Sequence, residues 1–190
     1  MLSPMTLSRL SAGDWLEVGF AVLAEEGIRG VKIDRMAERL GVTKGSFYWH
    51  FKDLNDFLDG LAAKWAGEMV NRYLATGGGP GEHPAARMRN RLRVYLSRQV
   101  RALDREMRNW ASSDERARRA LQRTDRLIFE QMTRDIEELG FPPAEAQWRA
   151  SVLFYASVGY AAVGHPLTEP TLRDEGFKLL ELLTSRQPGP

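Results

Sequence analysis

Apolar residues recur at i, i+3, i+4 and i+7 along almost the whole chain, and no stretch alternates with period two over a strand length. A chain patterned this way buries one stripe per helix, so the expected fold is all-α. Ile33, Met36, Ala37 and Leu40 form one such stripe, closed by Gly41. Ahead of it, Ser11 can cap a helix together with Asp14, burying Leu16, Phe20 and Leu23 and stopping at Gly27. Asp53 opens a longer helix with Asp56 in its first turn, carrying Phe57, Leu58, Leu61, Trp65, Met69 and Tyr73. That helix runs to TGGGPGEHP at 76–84, which lacks the Lys-Ser/Thr pair of a phosphate loop and reads as a flexible connection.

Beyond the glycines, one arginine-rich helix is expected to carry Met88, Leu92, Leu96, Leu103, Met107 and Trp110. It breaks at ASSDE, where Ser112 and Glu115 make a capping-box pattern. The next helix carries Ala117, Leu121, Ile128, Met132 and Leu139 and ends at Gly140. After Phe141-Pro142-Pro143, the apolar residues between Trp148 and Val163 cover most of a helix circumference, so burial on all sides is expected. Small residues Ala156, Gly159 and Ala162 would let a second copy approach, and the last helix, 170–185, again has more apolar surface than one stripe needs. A homodimer interface is therefore expected at Ala156, Gly159, Tyr160, Val163, Phe177, Leu180 and Leu183.

With 190 residues the chain can bury a core without staples, and its lack of cysteine excludes disulfides, thiolate zinc sites and cysteine nucleophiles. Neither MLSPMTLSRLSAGDW nor the run from Trp148 to Val163, interrupted by Arg149, has the apolar length of a signal peptide or a membrane span. A cytoplasmic protein without a membrane partner is expected. His50, His83 and His165 lie in separate segments with no acid at metal-ligand spacing, and no nucleophile motif is present. The expectation is no metal, no cofactor and no catalysis.

Charge is distributed unevenly. Residues 1–60 hold seven Lys/Arg against nine Asp/Glu, yet Arg29, Lys32, Arg35, Arg39, Lys44 and Lys52 leave a local cationic face over 29–52. The largest excess, thirteen arginines against five acids between 87 and 126, reads as solvated helix faces.

TKGSFYWHF, residues 43–51, holds five rings in succession and would suit a strand by propensity. Following the stripe at 33–40 and the Gly41-Val42 turn, it reads instead as the second helix of a helix-turn-helix, with Thr43 as its cap. Phe47 and Phe51 then point into the core, while Lys44 and Tyr48 share another face with Trp49 and His50 beside it. In a groove-reading helix Gly45 would let the backbone approach DNA, and Thr43, Tyr48 and Lys44 could bond phosphate oxygens. Ser46, Trp49 and His50 would be left to read bases, with a structural hydrogen bond as the equal alternative for His50.

GIRGVKIDRMAERLGVTKGSFYWHFKD, residues 27–53, resembles the signature of tetracycline-repressor (TetR) type transcription regulators, with Gly27, Ala37, Gly41, Val42, Gly45, Tyr48, His50 and Phe51 at the family's positions. The resemblance implies a DNA-binding domain at 1–52 and a ligand-binding and dimerisation domain at 53–190. It further implies a homodimer on an inverted-repeat operator in double-stranded DNA, with repression relieved by a small-molecule effector. By position Thr43, Lys44, Gly45, Tyr48 and His50 would contact the operator. Where the family often opens its second helix with threonine this chain has Lys32, which could meet a phosphate. Where the family has a basic residue just inside the following helix this chain has Leu54, leaving that contact to Lys52.

A pocket for a hydrophobic or aromatic effector is expected to draw on Trp65, Met69, Tyr73, Met107, Trp110, Phe129, Met132, Trp148 and Tyr155. The alternative reading is a helical dimeric interaction protein whose operator binding has weakened.

Overall fold

The structure, a computed structural model, describes residues 10–78, 81–162 and 169–185. It is all-helical there, with helices α1 (Ala12–Glu26), α2 (Ile33–Leu40), α3 (Lys44–Tyr48), α4 (Leu54–Ala75) and α5 (Pro84–Tyr95). There follow α6 (Arg98–Ala111), α7 (Glu115–Glu138), α8 (Pro143–Ala162) and α9 (Glu169–Thr184). None of these is long and apolar enough to cross a membrane. The chain divides into two compact units, Met1–Lys64 and Trp65–Pro190. The division falls inside α4 rather than at residue 52, because Phe57 and Leu61 of its first turns are fully buried with the first unit's core.

In the first unit, Ser11 and Asp14 form the reciprocal capping box: the Ser11 hydroxyl accepts from Asp14 N–H, and the Asp14 carboxylate accepts from Ser11 N–H at 2.7 Å. Trp15, Phe20, Val22 and Leu23 carry the buried face of α1, with Leu16 half-buried. Gly19 lets α1 lie close against α4, since a Cβ there would sit 2.6 Å from the Phe57 ring. On the outer side Arg35 and Arg39 of α2 grip Glu25 and Glu26 of α1. The hydrogen bonds from Arg39 and Arg35 hold those two carboxyls below their ordinary pKa.

In the second unit α7 packs on α8, α6 and α5, and α9 closes against α5 and α8. Its core joins Met88, Ile136, Phe141, Ala146, Ala150, Leu153, Leu180 and Leu183. Leu180 and Leu183, expected to face a second copy, are thus already buried inside one chain. Within one chain α8 buries only part of its circumference: Trp148, Val152 and Tyr155, one helical stripe, are exposed. Arg149 explains its own place in that apolar helix, stacking 4.1 Å over the Phe141 ring and donating to the Leu183 carbonyl at 2.9 Å.

Two boundaries differ from the sequence reading. The arginine-rich segment is two helices, because the chain turns at Leu96-Ser97, where Ser97 adopts the extended backbone of a cap and Arg101 donates to the Leu96 carbonyl at 3.0 Å. The apolar stripe runs through the turn unbroken and hides it. The cap of α7 is Asp114, accepting from Arg116 N–H at 2.9 Å, and not Ser112, whose hydroxyl donates back to the Asn109 carbonyl.

The arginines of 87–126 are not simply a solvated face. Asp135 is fully buried, and both Arg87 and Arg91 donate to its carboxylate; Arg91 also reaches the Tyr73 carbonyl at 3.0 Å, over a glycine, Gly77, that leaves it room. Burial raises the Tyr73 phenol far above its usual pKa. Removing one partner from such a cluster strands charge in the core. Asp135→Ala should therefore cost about 3–5 kcal/mol in urea unfolding followed by circular dichroism.

Candidate nucleic-acid interface and interior cavity

The connection between α2 and α3 is built on Gly41. It adopts the left-handed conformation (φ 66°), its N–H bonds Glu38, and Val42 N–H reaches back to the Ala37 carbonyl at 3.0 Å. This paired capping satisfies carbonyls at the end of α2 and sends the chain into α3 at a sharp angle. Thr43 holds the cap position of α3, but its hydroxyl makes no capping bond; its carbonyl accepts from Ser46 N–H instead. That leaves the hydroxyl outward.

The ring run divides as its helical spacing predicts. Phe47 is wholly buried and Phe51 nearly so, whereas Tyr48 is 58% and Trp49 79% exposed. Thr43, Lys44, Gly45 and Lys52 lie on the surface, with Ser46 and His50 partly covered, and Lys32 is exposed at the cap of α2. All the residues expected to meet DNA are therefore at or near the surface of the first unit, on or flanking α3 apart from Lys32 at the start of α2. A Cβ at Gly45 would meet only the Thr43 hydroxyl at 3.6 Å, so internal packing does not demand glycine there.

The cationic face is smaller than the charge count suggests. Arg35 and Arg39 are committed to glutamates, and Lys44 Nζ lies 2.6 Å from Asp34 Oδ1. Among the described residues, Arg29, Lys32 and Lys52 take no ion pair.

The second unit holds a cavity with about 860 Å³ of space between its side chains, part of it open to solvent. Met69, Tyr73 and Met132 border it as expected from sequence. Trp65, Met107 and Trp110 do not: they are core residues, at most 2% exposed. Phe129 stands behind the wall, edge-on to Phe154, which does line the space. Trp148 and Tyr155 face outward, 49% and 70% exposed. What sequence reasoning missed is the polar part of the wall, Arg91, Tyr95, Asp104, Arg108, Thr124 and Asp125. Its only signal was acids recurring among the arginines at helical spacing.

Arg108 bridges two carboxylates there, donating to Asp104 at 2.9 Å and to both oxygens of Asp125 at 3.0 and 2.9 Å. Burial opposes the guanidinium charge, but the paired acids outweigh it and hold its pKa above the ordinary value. Burial also raises Asp125, despite the fork from Arg108. The two shifts agree once the charge is counted, because one cation faces two anions.

Of the residues expected at a dimer interface, Ala156, Gly159, Tyr160 and Phe177 are half-buried and Val163 lies outside the described residues. A Cβ on Gly159 would meet open space, and Arg89 caps the Phe177 ring at 5.2 Å. His83 serves as the cap of α5, its Nδ1 accepting from Ala85 N–H. No cluster among the described residues could hold a metal ion.

A short helix presenting hydroxyls, a lysine and exposed rings behind a glycine turn defines a helix-turn-helix DNA-binding domain. Residues 16–60 match the family model for bacterial regulatory proteins of the tetR family. The chain is 37% identical over 63 residues to the HTH-type transcriptional regulator AcrR of Shigella flexneri, covering 32% of this chain and 29% of that one. It is 36% identical over 56 residues to the class C tetracycline repressor protein of Escherichia coli, covering 30% and 26%. The match thus spans less than a third of these relatives. The whole fold resembles a transcriptional regulator from Rhodococcus sp. Rha1 (TM-score 0.73, 19% identity, 92% and 94% of the two chains covered). It also resembles a protein from Saccharomonospora viridis, described as a transcriptional regulator and solved in complex with choline (TM-score 0.78, 15% identity, 90% and 95% covered). Residues 16–60 are thus the part of the chain that matches the tetR family of DNA-binding regulatory proteins, and over the remainder the likeness is one of fold.

The turn's geometry gives a stability test. Gly41→Ala introduces no clash, since nothing lies within 4 Å, so its cost is the left-handed backbone alone, about 1–2 kcal/mol. Gly45→Ala should leave the denaturation midpoint unchanged.

Proposed function

We propose that the protein is a homodimeric repressor that places α3 in the major groove at each half of an inverted-repeat operator and is released by a small, mainly apolar effector. The observation that carries the DNA half is the partition of residues 43–51, with Phe47 and Phe51 inward and Tyr48, Trp49, Lys44 and the Thr43 hydroxyl outward. Tyr48, Lys44 and Thr43 bond phosphates, Gly45 admits the backbone, and Ser46, Trp49 and His50 meet base edges. Lys32 and Lys52 supply flanking phosphate contacts, the latter in place of the basic residue that Leu54 replaces. The exposed α8 stripe, with Ala156, Gly159 and Tyr160, forms the subunit contact.

The effector half rests on α4. Its first turns belong to the DNA-reading unit, and Met69, Tyr73 and Thr76 near its end border the cavity. A ligand that favours one setting of this helix over another biases the two reading heads toward or away from the roughly 34–36 Å repeat of successive major grooves. The choline complex of the Saccharomonospora viridis protein supports the reading that this fold accepts a small molecule.

Gel-shift and anisotropy titrations against genomic fragments test the proposal. Salt-sensitive, sequence-selective binding is expected. Lys44→Ala should flatten the plot of log K against log salt by about one unit, and Tyr48→Phe should weaken binding by about five- to tenfold, one lost hydrogen bond. Neither should alter the far-UV spectrum. Asp34→Asn, which releases Lys44 from its ion pair, should tighten binding a few-fold, and a weakened Asp34→Asn complex would count against a phosphate role for Lys44.

A further inference from the structure

The polar wall of the second unit's cavity falls into two groups with different charge balance. In the first, Arg91 and Arg87 face Asp135, Arg87 also pairs with Glu138, and the Tyr73 carbonyl takes a further Arg91 donor, so two cations meet two anions and the group is neutral. In the second, Asp104 and Asp125 share the single Arg108, so the group carries one net negative charge. Asp104 is 3% exposed, and the Tyr95 hydroxyl, which donates to it at 3.0 Å, adds no charge. With Asp104 buried and Asp125 25% exposed, this anionic excess lies at the cavity's edge, where it is costly to leave without a further cation.

Thr124 gives an independent sign. Its side chain borders the same cavity at 1% exposure, and its Oγ1 has no hydrogen-bond partner. Other helical hydroxyls here take the carbonyl four residues back: Thr76, Thr133, Ser151, Ser157 and Thr184 all do. Thr124 leaves that local bond unmade, so a buried hydroxyl stands ready beside a carboxylate of the neighbouring residue, Asp125. Arg72 also borders the space, but it is exposed at the last turn of α4, where water screens its charge. Around these groups Met69, Ile128, Met132, Leu153 and Phe154 offer apolar, adaptable surface.

We propose that the cavity takes a protonated, N–H-bearing amine on an apolar body, its ammonium lodged against Asp125 and Asp104 and donating to the Thr124 hydroxyl. Ammonium charge completes the Asp-Arg-Asp group, and an N–H satisfies the hydroxyl that the helix leaves alone. Burial first, and the charge of Asp104 after it, push the Asp125 carboxyl up against the opposing pull of Arg108. Only the claim that the amine acts as effector rests on the regulatory reading above; its binding does not.

Four matched probes decide it: 4-(1-naphthyl)butylamine and its trimethylammonium, alcohol and carboxylate counterparts, titrated calorimetrically into the full chain at pH 7. The amine should bind about tenfold or more tighter than the alcohol and the carboxylate, and a few-fold tighter than the trimethylammonium. Asp125→Asn should abolish the preference over the alcohol, and Thr124→Val, nearly isosteric, the preference over the trimethylammonium. If Asp125→Asn does not fold, the four-probe ranking and Thr124→Val still decide. Equal or tighter binding by any of the other three probes, or no binding by the amine, overturns the proposal. Release of a retained genomic fragment is read separately: an amine that binds and leaves DNA bound defeats the effector reading alone, whereas a carboxylate that outbinds the amine and releases DNA defeats the amine alone.

Discussion

The reading head depends on Phe47. A helix of five residues has no stability of its own, because nucleation fixes more backbone than so few hydrogen bonds repay. Phe47 supplies the missing term from tertiary contact: its ring meets Trp15 edge-on at 5.2 Å, Phe51 at 5.2 Å and Phe57 at 5.7 Å. Three parts of the chain, α1, α4 and the segment just after α3, are thereby fastened to one side chain. With Phe47 pinned, the helical rotation leaves Tyr48 and Lys44 no choice but the outer face. The aromatic run is thus one anchor and several displayed groups, and the same residues in a strand would have alternated sides and scattered both.

Wherever local chemistry settles a feature, the sequence was readable. Ser11 with Asp14, Gly27, Gly41 and Asp53 each mark a helix end by a side chain or a backbone freedom that no other arrangement uses as well, and each does so in the fold. The stripe of α2 and the inward pair Phe47 and Phe51 followed from spacing alone. Failures occur where two local signals compete or where burial is set from a distance. Ser112 and Asp114 both could cap α7, and the carboxylate took the position. The turn at Leu96-Ser97 lies inside an uninterrupted apolar stripe, so periodicity could not report it.

The cavity was legible only in part, for a different reason. Large side chains fill space, and the largest, Trp65 and Trp110, fill it completely, so they become core instead of lining. Cavities arise where side chains stop short, as Thr124, Asp125 and Ser157 do. Of the aromatic residues expected to line a pocket, only Tyr73 borders this cavity. The same logic places Leu180 and Leu183 in the interior: a helix with excess apolar surface can bury it on two neighbours in its own chain, α5 and α8, before any second copy is needed.

Arginine and acid are used in opposite ways in the two units. In the second unit Asp135, Asp104 and Asp125 draw guanidiniums inward, so much of the basic excess between 87 and 126 is spent on packing and offers no field to a polyanion. In the first, Arg35 and Arg39 hold α1 to α2, and Lys44 is covered by Asp34 until something displaces it. A phosphate that takes Lys44 must outcompete that carboxylate, which lowers affinity for every DNA sequence alike. Because that loss is common to all sequences, it leaves the ratio of specific to non-specific binding to the base-edge contacts. Both partners of that ion pair are exposed, so the competition is small and Lys44 stays accessible to an incoming anion.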